Sequence, residues 1–242
     1  MNLIIDVGNT FVKLAVFKSD ELVFKSSTEL ENTVNEINKL KLNFPNIKNA
    51  IVSSVGRLKK HQIDCIKSEM GLIVLTHTTK LPFKNSYSTP KTLGIDRIAL
   101  ACASMYHYPE NNVLVIDAGT CITYDFISAK NEYLGGAISP GIRMRYKSLH
   151  NLTANLPLLD TEVPKNIIGN STNNAIHSGV INGVINEIDG CIKSYNTNYL
   201  DLTVILTGGD ANFLSEQLKS SIFANSNFLL EGLNYILKFN SN

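Results

Sequence analysis

The chain has 242 residues, 44% apolar and 18% charged, with a formal net charge of +1. That length supports one large or two small cores, the composition opposes wholesale disorder, and the lack of a basic field opposes a protein built to coat nucleic acid. No apolar run approaches the roughly 20 residues of a membrane helix, and no basic segment precedes Leu3-Ile4-Ile5, so neither a membrane span nor a signal peptide is expected.

In chain order, Leu3 to Asp6 reads as a strand covered on both faces, because three apolar residues follow one another. Phe11 to Phe17 and Glu21 to Ser26 are two more, set apart by the turn signals Gly8-Asn9 and Ser19-Asp20. Thr28 with Glu31 has the pattern of a capping box, ahead of Leu30, Val34, Ile37 and Leu40 at helical spacing. Ala50 to Ser53 is a strand, Leu58 to Met70 a helix, and Leu72 to Leu75 a strand. Residues 76 to 93 carry Pro82 and Pro90 and are expected to form a loop before a helix over Arg97 to His107. The order then restarts, with strands over Val113 to Asp117, Cys121 to Ile127 and Tyr133 to Ile138, and a helix over Gly141 to Leu152. After a loop with Pro157 and Pro164 come a long helix from about Thr172 to Lys193, a strand over Leu202 to Leu206, and helices over Asn212 to Leu218 and Glu231 to Phe239.

That restart is an internal repeat. Ile5-Asp6-Val7-Gly8-Asn9-Thr10 and Ile116-Asp117-Ala118-Gly119-Thr120 lie 111 residues apart, and the same order of elements follows each. The expectation is a duplicated α/β protein of two domains, 1–110 and 111–242, with the boundary near Pro109 to Asn112. A chance match of a short motif is the rival reading.

Cys65, Cys102, Cys121 and Cys191 form no C-x-x-C pair, and the five histidines form no H-E-x-x-H. Reduced core thiols, a cytoplasmic setting and no zinc site are expected. The chain also lacks G-x-x-x-x-G-K-[ST], G-x-G-x-x-G and G-x-S-x-G, which removes Walker and Rossmann phosphate loops and the α/β-hydrolase elbow.

What remains is D-x-G, twice. A glycine turn after a strand-end aspartate admits a phosphate close to the backbone, and turn amides can form an anion nest. Asn9, Thr10, Thr120 and Thr123 add donors, Lys13 adds a point charge, and Asp6 and Asp117 can hold cations. Two ordinary hairpin turns are the bland alternative. Thr207-Gly208-Gly209-Asp210, after a strand and before a helix, offers a third patch of bare backbone to a flat ligand or phosphate. Finally, Tyr87 to Arg97 ends in Gly94-Ile95-Asp96-Arg97. Asp96 is either a helix cap or a functional carboxylate. Arg97 is one of only four arginines among 22 Lys and Arg residues, so its planar fork is a candidate partner for a carboxylate.

Together, Asp6-Val7-Gly8-Asn9-Thr10 with Lys13, the Tyr87 to Arg97 segment, Asp117-Ala118-Gly119-Thr120, Gly135 to Gly141, Gly169-Asn170-Ser171-Thr172 and Thr207-Gly208-Gly209-Asp210 resemble the type III pantothenate kinases. That family belongs to the acetate and sugar kinase, Hsc70 and actin superfamily. The resemblance runs through nearly the whole chain, and it is the ordered combination that is specific. It implies two ribonuclease-H-like, actin-like ATPase domains with the nucleotide in the cleft between them. The first would carry the first phosphate loop, the second another phosphate loop and the adenosine loop.

The implied reaction is ATP-dependent phosphorylation of pantothenate, the first step of coenzyme A biosynthesis. Asp96 would match the catalytic base. Asp6, Val7, Gly8, Asn9, Thr10 and Lys13 would match the first phosphate loop, with Asp6 near magnesium. Thr120, Gly208 and Gly209 would be further ATP contacts. Tyr87, Gly94, Ile95, Asp96, Arg97 and Thr172 would match pantothenate contacts. Asp117 would match the ligand of a monovalent cation, potassium or ammonium. The family is homodimeric, and no nucleic-acid or membrane partner is implied. Thr89 stands where the family often has Asn, and Ile95 where it often has Ala; neither has an obvious chemical role.

Ala175, Gly179 and Gly183 form a stripe of small residues on the long helix, which reads as packing within the monomer unless the family dimer uses it. The chain ends soon after Phe239, and no extra domain is expected. A non-catalytic nucleotide-binding regulator of the same fold, and a kinase for another small hydroxyl or carboxylate acceptor, are the alternatives. Asp96 beside Arg97 and Tyr87 favours the enzyme, because a regulator has no use for a base at an acceptor pocket.

Overall fold

A computed structural model describes residues 1–8, 11–53 and 58–241. The chain divides into two units, Met1–His107 with Asn227–Asn242, and Tyr108–Ser226.

In the first unit, strands β1 (Asn2–Val7), β2 (Val12–Lys18), β3 (Glu21–Thr28), β4 (Asn49–Val52) and β5 (Gly71–Val74) form a sheet in the order β3-β2-β1-β4-β5. β1 is antiparallel to β2 and parallel to β4, which is parallel to β5. Side chains alternate along a strand. Leu3, Ile5 and Val7 of β1 therefore share a face with Val12, Leu14 and Val16 of β2, and this face packs on Ile37 and Leu40 of helix α1 (Thr33–Asn43) and Ile66 of α2 (Lys60–Glu69). Ile4 and Ala15 are fully buried on the opposite face. That parity gives Asp6 the same face as Ile4, opposite Lys13 of β2. Residues 76 to 93, expected as a loop, hold the short strand β6 (Lys84–Asn85) and a 3-10 turn over Pro90–Thr92. Helix α3 (Ile95–His107) follows.

The second unit contains β7 (Asn112–Ala118), β8 (Cys121–Ile127), β9 (Glu132–Pro140), α4 (Ile142–Asn151), α5 (Thr172–His177), α6 (Gly183–Asn198), β10 (Leu202–Thr207), α7 (Ala211–Ser215) and β11 (Phe223–Ala224). Its strands lie in the order β9-β8-β7-β10-β11. β7, β8 and β9 are successively antiparallel, and β10 is parallel to both β7 and β11. Order and direction thus repeat those of the first unit, and Asp117 on β7 takes the place that Asp6 has on β1. Leu114, Ile116 and Ala118 of β7 form the core with Val184, Ile188 and Ile192 of α6.

The last helix, α8 (Phe228–Ser241), departs from the sequence reading, which put residues 227–242 with the second half. It returns to the first unit. A Cβ on Gly232 would overlap the Ala99 carbonyl, so α8 and α3 approach backbone to backbone. Asn234 is buried; it accepts from the Asn2 side chain at 2.8 Å and donates to the Ser19 carbonyl at 2.9 Å.

Three local expectations also change. β3 runs on through Thr28, so the Thr28–Glu31 capping box does not form and α1 starts only at Thr33, after a 3-10 turn. The long helix is interrupted by a π turn over Ser178–Asn182. Of the four cysteines only Cys102 is fully buried, the others being half-buried. Among the described residues, no helix is long and apolar enough to cross a membrane.

Candidate active site

Asp6 is buried one residue before the end of β1. Its Oδ1 accepts a hydrogen bond from the Ser53 hydroxyl at 2.8 Å, and Lys13 stands opposite it in the β1–β2 register. Burial raises its carboxyl above the usual carboxylate range. The negative charge of Asp96 acts in the same direction, while the Ser53 hydrogen bond and the Lys13 ammonium oppose it. Asp6, Lys13, Ser53 and Asp96 therefore belong to one electrostatic neighbourhood.

The D-x-G turns differ from the sequence reading in one respect. The Gly8 amide donates to the Phe11 carbonyl at 3.1 Å, and the Gly119 amide to the Cys121 carbonyl at 2.9 Å. Both glycine amides close their own hairpins, so they are not the phosphate donors the motif suggested. A Cβ on Gly119 would meet only Cys121 O, at 4.0 Å. Packing among the described residues does not require a glycine there. Val7 closes β1, whereas Asn9 and Thr10 lie outside the described residues.

In the Tyr87 to Arg97 segment, α3 begins at Ile95, not Arg97. Asp96 is accordingly inside the first turn and is not the N-cap. It is exposed, and its Oδ1 accepts from the Arg97 amide at 2.9 Å. A Cβ on Gly94 would overlap that carboxylate, so a larger residue there would turn the Asp96 side chain away from the Arg97 amide. Arg97 is buried, with its guanidinium 5.8 Å from the centre of the Tyr87 ring.

In the second unit, Asp117 pairs with Thr123 of β8 on one side and Thr207 of β10 on the other. The Thr123 hydroxyl donates to Asp125 at 3.0 Å and so is not the ligand donor expected of it. Gly208 has φ +97°, and the Asp210 amide donates to the Ala118 carbonyl at 2.9 Å, which ties the Gly208-Gly209 turn to the end of β7. Thr120 and Gly209 are exposed. A Cβ on Gly141 would overlap the carbonyls of Gly119 and Thr120, so the start of α4 rests on the second D-x-G hairpin. Arg145 of α4 secures this contact: it donates to Glu187 at 2.6 Å, to Ser139 at 3.0 Å and to the Pro140 carbonyl at 2.9 Å. Thr172 is exposed at the start of α5, capped by Ser171.

The expected site residues thus divide between the units. Asp6, Val7, Gly8, Lys13, Tyr87 and Gly94 to Arg97 are in the first, and Asp117, Thr120, Thr172, Gly208 and Gly209 in the second. Ser53 was not picked out by the sequence reading. The hint was a hydroxyl residue at the C-terminal end of each half's fourth strand, Ser53 just past β4 and Thr207 closing β10. Among the described residues, no cluster of three or more His, Cys, Asp or Glu side chains forms a metal cage. The donors at the strand ends are carboxylate and hydroxyl oxygens, which suit a hard cation held by one or two carboxylates together with substrate phosphates.

A family profile described as type III pantothenate kinase matches residues 2–194. The chain belongs to the type III pantothenate kinase family. It is 52% identical over 240 residues to the type III pantothenate kinase of Christiangramia forsetii, covering 99% of each chain. It is 49% identical over 239 residues to that of Flavobacterium johnsoniae, covering 99% of this chain and 98% of the other. Among solved structures, the ROK hexokinase of Thermus thermophilus aligns with a TM-score of 0.55 at 10% identity, covering 98% of each chain. A glucokinase from an Antarctic psychrotroph aligns with a TM-score of 0.54 at 13% identity, again over 98% of each. At such identities the likeness speaks for the fold alone, that of the two-domain ribonuclease-H-like kinases. The duplicated strand order described above is the same conclusion reached from topology.

Proposed function

We infer that this member of the family transfers the γ-phosphoryl group of ATP to the primary hydroxyl of pantothenate, giving 4'-phosphopantothenate for coenzyme A synthesis. Family membership supports the reaction. The observation that carries the assignment of residues is that Asp6, a phosphate-side carboxylate facing Lys13 across β1 and β2, also feels the negative charge of Asp96, an acceptor-side carboxylate.

In this reading Asp96 takes the hydroxyl proton as the oxygen bonds to the γ-phosphorus and the bond to ADP breaks. The Arg97 amide holds one oxygen of Asp96 and so fixes the plane of the carboxylate. The Arg97 guanidinium, against the Tyr87 ring, receives the carboxylate of pantothenate as a planar fork. Tyr87, Gly94, Ile95 and Thr172 complete the acceptor contacts. Asp6, Val7, Asn9, Thr10 and Lys13 serve ATP from the first unit, where Gly8, its amide engaged in the hairpin, contributes only close approach of bare backbone, and Thr120, Gly208 and Gly209 serve it from the second. Asp6 would hold magnesium, and Asp117 potassium or ammonium. Bound cations supply the charge neutralisation that one lysine does not.

The chain acts as a homodimer in the cytoplasm. The unfilled helix stripe supports the dimer: Ala175 and Gly179 are exposed, and a Cβ on Gly179 would meet nothing within 4 Å. The stripe also packs within its own unit as expected, with Gly169 against Ala175 and Arg145 4.0 Å from a Cβ on Gly183.

A coupled ADP-release assay tests the reaction, with pantothenate as acceptor and glycerol, glucose and acetate as controls. Turnover is expected with pantothenate alone. No turnover with pantothenate in the presence of magnesium and potassium would overturn the assignment.

A further inference from the structure

β1 and β4 run parallel with Val52 beside Ile5, so the next residues on the two strands are Ser53 and Asp6. The Ser53 amide donates to the Ile5 carbonyl at 3.0 Å and extends the ladder one step beyond β4. The Ser53 side chain is buried; its Oγ accepts from the Val7 amide at 3.2 Å and donates to Asp6 Oδ1 at 2.8 Å. A serine hydroxyl has a single hydrogen. Because the Val7 amide can only donate, that hydrogen is directed to the carboxylate. Backbone geometry thereby sets the direction of a side-chain hydrogen bond.

We propose that Ser53 is a positioning residue for phosphoryl transfer, locking the Asp6 carboxylate so that its other lone pairs are turned to a nucleotide-borne divalent cation. The proposal rests on the reading of Asp6 as the ligand of that cation. The duplicated fold supplies a parallel instance: Asp117 of β7 stands beside Thr207 of β10, again a buried hydroxyl residue on the parallel neighbour. Main-chain pairing of Ser53 with Ile5 holds β4 against β1, and the hydroxyl oxygen satisfies the Val7 amide; neither contact uses the hydroxyl hydrogen, which goes to Asp6.

The test is manganese binding to the full chain with a non-hydrolysable ATP analogue, read by the electron paramagnetic resonance of free manganese. Ser53→Ala, Ser53→Val, Ser53→Thr and Asp6→Asn are compared. Thr keeps the hydroxyl and Val has its shape without it, so that pair isolates the hydrogen bond from packing. Ser53→Ala and Ser53→Val are expected to weaken manganese binding by about tenfold or more, as loss of a hydrogen bond to a charged group requires. Ser53→Thr is expected to retain it, and the pantothenate KM of all three to stay at the wild-type value. Equal manganese affinity in the Thr and Val variants, or wild-type affinity in Ser53→Ala with only a lower melting temperature, would overturn the role of Ser53. Wild-type manganese binding by Asp6→Asn would instead overturn the reading of Asp6 itself, and the proposal with it.

Discussion

Gly208 meets Asp117 with no side chain between them. A methyl group on Gly208 would overlap both the Asp117 carboxylate and the Ala118 carbonyl, and the backbone there has φ +97°. Gly208→Ala is expected to destabilise the protein by at least about 1–2 kcal/mol, from the left-handed backbone alone. Its neighbour behaves differently, because a Cβ on Gly209 meets nothing within 4 Å. Gly209→Ala should leave stability within about 0.5 kcal/mol and change only ATP affinity. Thermal denaturation and nucleotide titration separate the two, and equal melting temperatures for both variants would contradict this account of the turn.

The strand-end carboxylate Asp6 should work against stability in the cation-free protein. Its native carboxyl lies above the unfolded value, chiefly through burial. A group shifted in that direction adds stability below the unfolded value and loses it as pH rises through the native one. Ionised Asp6 is thus a cost at neutral pH. Asp6→Asn keeps an acceptor for Ser53 and removes the charge. In chelator-treated samples it should melt above the wild type at neutral pH, with the difference shrinking in acid, while turnover falls. A variant that melts below the wild type at neutral pH would count against the burial argument.

Glu187 has the opposite sign. Burial raises its carboxyl, but hydrogen bonds from Arg145, Ser139 and Tyr124 outweigh burial and hold it below the usual value. The stability it contributes is present above the unfolded value and is lost as pH falls through the native one. Glu187→Gln should cost about 1–3 kcal/mol at neutral pH, since Arg145 loses its charged acceptor. In acid the two proteins should converge. Identical neutral-pH melting curves would show that the Arg145–Glu187 pair does not secure the start of α4.

Substrate recognition is open to a similar separation. Lys cannot reproduce the planar fork of Arg97 or its contact with the Tyr87 ring. Arg97→Lys should raise the pantothenate KM markedly and leave the ATP KM nearly unchanged. Equal effects on both would indicate a defect in the fold instead.

The features legible in the sequence were those with a local signature. Leu3-Ile4-Ile5 before Asp6-Val7-Gly8 marks a buried strand and its turn, and the recurrence at Asp117 marks the duplication that the strand orders repeat. What was not legible depends on long-range neighbours. Ser53 meets Asp6 only because β4 lies beside β1. The return of α8 rests on Gly232 against Ala99 and Asn234 against Asn2, contacts more than 130 residues apart in sequence. Asp96 could be read in sequence as either a helix cap or a functional carboxylate, and only the start of α3 at Ile95 places it inside the first turn and removes the cap. The Gly8 and Gly119 amides looked available in sequence, yet each is used within its own hairpin.

The most direct test of the account is Asp96→Asn. The Asp96 carboxylate is exposed and its Oδ1 accepts from the Arg97 amide at 2.9 Å, a bond that an asparagine carbonyl can also accept. Local structure should therefore survive, with melting temperature and ATP affinity unchanged. Asn cannot take the proton from the pantothenate hydroxyl, and a positioned base contributes about 10²–10⁴ in rate. Turnover should fall roughly 10²-fold or more, toward the low end if positioning in a loose transition state carries much of the catalysis. A variant that melts normally and turns over within about threefold of the wild type would contradict Asp96 as the base, since the smallest contribution expected of one is far larger.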